Sequence, residues 1–173
     1  SSATTVFTPQ PLSSAGGMPN KAVTKLSSGS SASCAIENGD VYCWGGQQGS
    51  ANITGSSSAM TWPQRAFGTD PILTSKEFTD VTVGTSNACA IAEGKAYCWG
   101  EVSYGANGTG TFTKPSSSVW WTSPRAVDTT GVLAGKTVTD MSIGQMHTCA
   151  IADGAAYCWG YNTEGELGNG DAT

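Results

Sequence analysis

Six cysteines stand in three pairs, Cys34 with Cys43, Cys89 with Cys98 and Cys149 with Cys158, each pair separated by eight residues. The second cysteine of every pair lies between a tyrosine and a Trp-Gly: Tyr42-Cys43-Trp44-Gly45, Tyr97-Cys98-Trp99-Gly100 and Tyr157-Cys158-Trp159-Gly160. His147, the single histidine, stands two residues before Cys149. Thiols beside an aromatic ring and an imidazole are the raw material of metal binding or thiolate chemistry. Comparison of the copies removes both. The positions matching His147 hold Ala32 and Asn87, so no metal site is common to the repeats, and zinc sites gather their cysteines in closer Cys-x2-Cys clusters. His147 is therefore read as a structural residue of its repeat rather than a ligand or catalyst.

The residues between the cysteines explain the spacing. Asn38-Gly39 suits a two-residue type I′ hairpin loop, which places Glu37 opposite Asp40, Ile36 opposite Val41, Ala35 opposite Tyr42 and Cys34 opposite Cys43. Hydrogen-bonded and non-hydrogen-bonded pairs alternate outward from the turn, so the cysteines meet on a non-hydrogen-bonded rung, with Cα atoms about 4.5 Å apart. That is within reach of a disulfide. Asp153-Gly154 gives the same register for Cys149 and Cys158, and Glu93-Gly94 a weaker version for Cys89 and Cys98. Three local disulfides and an oxidising, extracellular or cell-surface compartment are therefore expected.

Nothing else in the sequence marks a reaction. No Ser-His-Asp order, glycine-rich phosphate loop or close carboxylate pair is present, so no enzyme activity and no cofactor is expected. Eight Lys and Arg against thirteen Asp and Glu give a net charge of −5, and the basic residues are scattered. Nucleic-acid partners, which need clustered cations to displace counterions, are disfavoured, as is an anionic membrane surface. No apolar run is long enough to insert in a membrane, and a start at Ser1 reads as a processed or excised piece.

The elements that position the cysteines recur with them. From Cys34 to Cys89 is 55 residues and from Cys89 to Cys149 is 60, a period close to a four-stranded propeller blade with its loops. Low charge, abundant Gly, Ser and Thr and few helix formers favour strands. Each unit opens with an alternating strand that ends in glycine: Val23 to Gly29, Phe78 to Gly84 and Val138 to Gly144. The cysteine hairpin follows, then Trp-Gly and a glycine-rich loop, and then a proline-entered edge strand at Trp62 to Phe67 and at Ser123 to Val127. Phe7-Thr8-Pro9-Gln10-Pro11-Leu12 carries the same signature ahead of the first unit, while no such strand follows the third. The approximate units are 5–60, 61–121 and 122–173, phased so that the first strand can complete the last blade.

The third unit, with Gly144, His147-Thr148-Cys149-Ala150-Ile151, Asp153-Gly154, Tyr157-Cys158-Trp159-Gly160 and Asn162-Thr163-Glu164-Gly165-Glu166-Leu167-Gly168, resembles the repeats of the RCC1 (regulator of chromosome condensation) family of β-propellers. The resemblance covers nearly the whole chain. It implies an all-β fold of three RCC1-like blades, and the cysteine pair in every hairpin fits a secreted bacterial branch rather than the intracellular members. Nucleotide exchange on a small GTPase and chromatin binding, known for eukaryotic members, do not carry over to an acidic, disulfide-bonded chain. The family's usual ring has seven blades. Three blades imply a ring completed by two chains, a head-to-tail filament, or part of a longer propeller; the residues also allow a compact packing of three small sheets.

Two classes of function follow. The leading one is a secreted or surface-displayed, non-enzymatic module for protein interaction and self-assembly, including a structural subunit of a filament or appendage, joined head to tail through residues 7–12 and the last blade. The alternative is a ligand-binding or inhibitory fragment of a longer propeller, recognising a protein or glycan through its loops. Trp44, Trp99 and Trp159, with Gly45, Gly100 and Gly160, are expected to be structural repeat positions packed between blades. Trp62, Trp120, Trp121, Tyr104 and Tyr161 are the candidate interaction residues, with Trp120 and Trp121 placed just ahead of an edge strand and matched to Trp62. Asn52 and Asn107 head the sequons Asn52-Ile53-Thr54 and Asn107-Gly108-Thr109, acceptors for a glycan where the source attaches one.

Overall fold

A computed structural model describes residues 6–19, 22–46, 60–66, 70, 73–101, 103–110 and 120–172, with Trp120 and Thr122 described by backbone only. The described strands are β1 (Val23–Ser28), β2 (Ala32–Glu37), β3 (Asp40–Gly45), β4 (Met60–Arg65), β5 (Phe78–Val83), β6 (Asn87–Ala92), β7 (Lys95–Glu101), β8 (Trp120–Ala126), β9 (Val138–Ile143), β10 (His147–Ala152) and β11 (Ala155–Gly160). They form three antiparallel sheets of orders β1-β2-β3-β4, β5-β6-β7-β8 and β9-β10-β11. These are three propeller blades, the first two with four strands and the third with three.

The hairpin turns set the register. Asn38, Glu93 and Asp153 take φ of 53°, 53° and 48°, and the glycines that follow take 78°, 71° and 78°, which is the left-handed pair a type I′ loop requires. Glycine is needed at the second position because it enters that region without a Cβ penalty. The pairing that results runs from Glu37 opposite Asp40 to Cys34 opposite Cys43, and the other two hairpins place Cys89 opposite Cys98 and Cys149 opposite Cys158. All three pairs are disulfide-bonded, each with its Cα atoms 4.1 Å apart.

Each blade has two apolar faces, and consecutive blades join unlike faces. Cys34, Ile36, Val41 and Cys43 of blade one pack against Val81, Val83, Ala90 and Trp99 of blade two. Cys89, Ile91, Ala96 and Cys98 of blade two pack in the same way against Val138, Met141, Ala150 and Ala152 of blade three. Small alanines on the receiving hairpin let the sheets approach. The first strands meet glycine to glycine, since a Cβ on Gly29 would run into the Gly84 carbonyl. The backbone also crosses the joints: Phe78 N–H donates to Gly39 O at 2.9 Å and Val138 N–H to Gly94 O at 2.8 Å. Lys25 adds an ion pair with Asp80 across the first joint at 3.2 Å.

The sheets are offset from the repeat units 5–60, 61–121 and 122–173, because β4 completes blade one through Cys43–Gln64 and β8 completes blade two through Cys98–Arg125. Two expectations need correction. Phe7 to Leu12 forms no strand; Phe7 is 92% exposed, and a lone strand has no ladder to hold it. Trp120 and Trp121 lie inside β8 rather than ahead of it. Trp121 pairs with Gly100 as Met60 pairs with Gly45, so the equivalent of Trp62 is Ser123.

Candidate functional site

The third hairpin carries β11, whose outer side faces no strand among the described residues. In the other two blades that side is filled. Ala66 N–H donates to Val41 O at 2.7 Å and Val127 N–H to Ala96 O at 2.9 Å, while Pro63 and Pro124 of the fourth strands are buried. Alongside β11 lies a cavity of about 440 Å³, walled by Val127, Asp128 and Val132 from the end of blade two and by Tyr157, Cys158 and Trp159. Val132 is 73% exposed there. The cavity is an apolar trough beside a strand edge that no other strand among the described residues covers.

Its floor is fixed by hydrogen bonds. Thr148 Oγ1 and Trp159 Nε1 both donate to Ala106 O, at 2.8 and 2.9 Å. Gly108 is needed under the indole, because a Cβ there would come within 2.6 Å of Trp159 Nε1. One charge stands on the wall. Asp128 accepts from Thr130 N–H at 2.8 Å and Thr130 Oγ1 at 2.7 Å, and these bonds, the backbone one foremost, hold its carboxyl below the ordinary aspartate range. The Lys136 ammonium sits 5.8 Å from the centroid of Tyr157. Such a site is equipped to accept an extended polypeptide by strand addition.

Two of the three repeat tryptophans sit where blades meet. Trp99 is fully buried in the joint of blades one and two, Trp159 is half-buried in the joint of blades two and three, and Trp44 packs on the outer face of blade one. Gly45, Gly100 and Gly160 have φ of 84°, 93° and 110°, and a Cβ on any of them would lie 2.5–2.6 Å from a carbonyl oxygen of Ser31, Ser86 or Met146. The His147 ring lies directly over Gly144, where a Cβ would overlap it.

The aromatic candidates do not form one surface. Tyr104 and Tyr161 meet edge to face across the second joint, with ring centroids 5.0 Å apart and planes at 76°. Trp121 is partly buried under the Arg125 guanidinium, 4.4 Å from its ring centroid, and Trp62 is 43% exposed on the outer strand of blade one. Asn52 lies outside the described residues. Asn107 is 1% exposed in the folded chain. Its place matches Leu167 of the third unit, so it fills a core position. Among the described residues, no group of three or more His, Cys, Asp or Glu is placed to hold a metal ion, and no helix is long and apolar enough to cross a membrane.

Residues 93–151 match the model of the regulator of chromosome condensation (RCC1) repeat. The chain carries an RCC1 repeat. The matched stretch runs from the turn of the second hairpin through β8 and β9 into β10, so the RCC1 repeat is offset from the sheets. The chain is 30% identical over 140 residues to the E3 ubiquitin-protein ligase HERC2 of Homo sapiens, and equally to that of Mus musculus; the match covers 79% of this chain and 3% of HERC2. Its fold is similar to that of human WBSCR16, with a TM-score of 0.66 and 21% identity over 82% of this chain and 33% of that one. It is also similar to Prp20p of Saccharomyces cerevisiae, a protein studied for its binding to Gsp1p and histones, with a TM-score of 0.65 and 19% identity over 86% of this chain and 35% of that one. This chain thus spans about a third of the length of these RCC1-like structures. Family model and structural neighbours together support the RCC1 assignment, and the fold is that of RCC1-like propeller blades.

Proposed function

We propose that the chain is a secreted or surface-displayed, non-enzymatic RCC1-like module for protein interaction that assembles with copies of itself, as the subunit of an extracellular filament or appendage. The observation that carries this reading is the contrast between blades: the same disulfide hairpin is paired on its outer side in blades one and two, while in blade three no strand among the described residues pairs with that side. Three disulfides fit an oxidising compartment, and a cysteine pair in every hairpin fits a secreted bacterial-type branch of the family. The acidic charge supports protein partners over nucleic acid.

Light scattering and electron microscopy of the oxidised chain test the proposal. Discrete oligomers or filaments are expected, and a persistently monomeric species would remove self-assembly. A second reading is favoured by the trough beside β11 and by the threefold greater length of the RCC1-like structures. In that reading the chain is part of a longer propeller, with boundaries near 5–60, 61–121 and 122–173 in the repeat phase, and its loops recognise a protein or glycan. A monomer that binds a partner through Trp62 or Trp121 would support it.

A further inference from the structure

The two ends of the blade array carry the same faces that its internal joints bury. Ile36 and Ile91 are 1% and 2% exposed inside the joints, whereas Ile151, their counterpart on the outer face of blade three, is 42% exposed. On the opposite end, Leu26 matches Val81 and Met141; those two are 5% and 7% exposed, and Leu26 is 62% exposed. Val23 is 39% exposed where Phe78 and Val138 are each 4%. The turns tell the same story. A Cβ on Gly39 would lie 3.3 Å from Glu77 and one on Gly94 would lie 2.7 Å from Thr137, but at Gly154 the space is empty out to 4 Å.

The segment leading into blade one is already set for a joint. Met18 is fully buried with Ala35 and Tyr42, five residues before β1, as Leu73 and Leu133 are buried five residues before β5 and β9. Aligned on the proline that enters each edge strand, Pro9, Gln10, Pro11 and Leu12 match Pro63, Gln64, Arg65 and Ala66, and Pro124, Arg125, Ala126 and Val127. Ala66 and Val127 turn their N–H groups to the neighbouring strand, and donors in an antiparallel ladder alternate in direction. Residues 10 and 12 would therefore face β11, and the prolines at 9 and 11 fall on positions whose N–H points away. That is where an edge strand tolerates proline.

We infer that blade three of one copy docks on blade one of a second copy by repeating the internal joint, with residues 6–12 of the second copy added to β11 as its fourth strand. Gln10 then pairs with Cys158 and Pro11 with Tyr157, as Gln64 pairs with Cys43 and Arg65 with Tyr42. Pro9 and Pro11 enter the trough beside Trp159, and Val23 N–H reaches Gly154 O. The contact is head to tail, so it closes into a ring or propagates according to the accumulated rotation. This inference rests on the self-assembly reading and specifies its interface.

Two variants with charges on opposite ends test it. Ile151→Glu and Leu26→Glu both alter exposed side chains, so both should fold as monomers with melting temperatures near wild type. In sedimentation velocity each alone is expected to remain monomeric where the wild type assembles. Mixed, they form a one-to-one complex and go no further, because that joint uses the one intact head and the one intact tail and leaves only charged faces free. Gln10→Pro removes an inward N–H and is expected to weaken assembly about tenfold, while Pro11→Ala leaves it unchanged. If the wild type assembles but neither charge variant interferes, the interface proposed here is overturned and self-assembly stands. If the wild type is monomeric at every concentration, both fall, and the end faces belong to another occupant.

Discussion

The second and third hairpins have nearly the same sequence and different surroundings. Every residue of β6 is buried, and the Cys89–Cys98 bridge lies at the heart of a joint. In the third hairpin Ile151 is 42% exposed and Ala155 and Ala156 are exposed, although turn, register and disulfide are alike. Burial in this molecule is therefore a property of the joint, not of the hairpin. The hairpin supplies a stapled two-strand unit, and a neighbouring blade supplies the core.

That contrast can be broken by truncating the same isoleucine in each place. Ile91→Ala opens a cavity inside a joint and should cost about 2–5 kcal/mol in urea unfolding, whereas Ile151→Ala in the dissociated chain should cost no more than about 0.5 kcal/mol. Equal losses would mean that blade three is covered in the single chain. Next in size is the staple. Each bridge closes a loop with a sequence separation of 9, for which the chain-entropy relation gives about 2–3 kcal/mol. Paired Cys→Ala replacements in hairpins two and three should therefore destabilise by similar amounts, despite their different burial.

A smaller effect is expected at the joint's polar floor. Thr148→Val removes a buried hydroxyl bonded to Ala106 O and should cost about 1 kcal/mol, read in the same unfolding experiment. The smallest is an exposed pair. Lys76 donates to Glu93 at 2.7 Å, and this hydrogen bond, with the lysine's charge behind it, lowers the Glu93 carboxyl pKa. The sign follows: a depressed folded-state pKa contributes stability above the unfolded value that is lost as pH falls through the folded one. Lys76→Ala should move the Glu93 titration upward in NMR with little change in melting temperature.

Much of the fold was legible because it is local. A left-handed turn pair fixes the whole hairpin register, so the three disulfide pairings could be counted from Asn38-Gly39, Glu93-Gly94 and Asp153-Gly154. The inner strands showed their period of two. What depended on partners was not legible. Phe7 to Leu12 has the residues of an edge strand and, among the described residues, no strand beside it. Asn107 belongs to a glycan sequon and sits in a core position, because the loop after Gly100 seats it where the third unit has Leu167. Trp120 and Trp121 joined β8 because the ladder past the bulge between Cys98 and Gly100 reaches further than the proline suggested. The edge-to-face contact of Tyr104 with Tyr161 joins loops of two blades and leaves no local signal.

Amide hydrogen exchange along β11, measured at low and high protein concentration, tests the central claim most directly. Strand addition predicts that Ala156 and Cys158 exchange fast when dilute and become as protected on assembly as Val41, Cys43, Ala96 and Cys98, and that Ile151→Glu abolishes this gain. Fast exchange at Ala156 and Cys158 at every concentration, in a chain that nevertheless assembles, would contradict it.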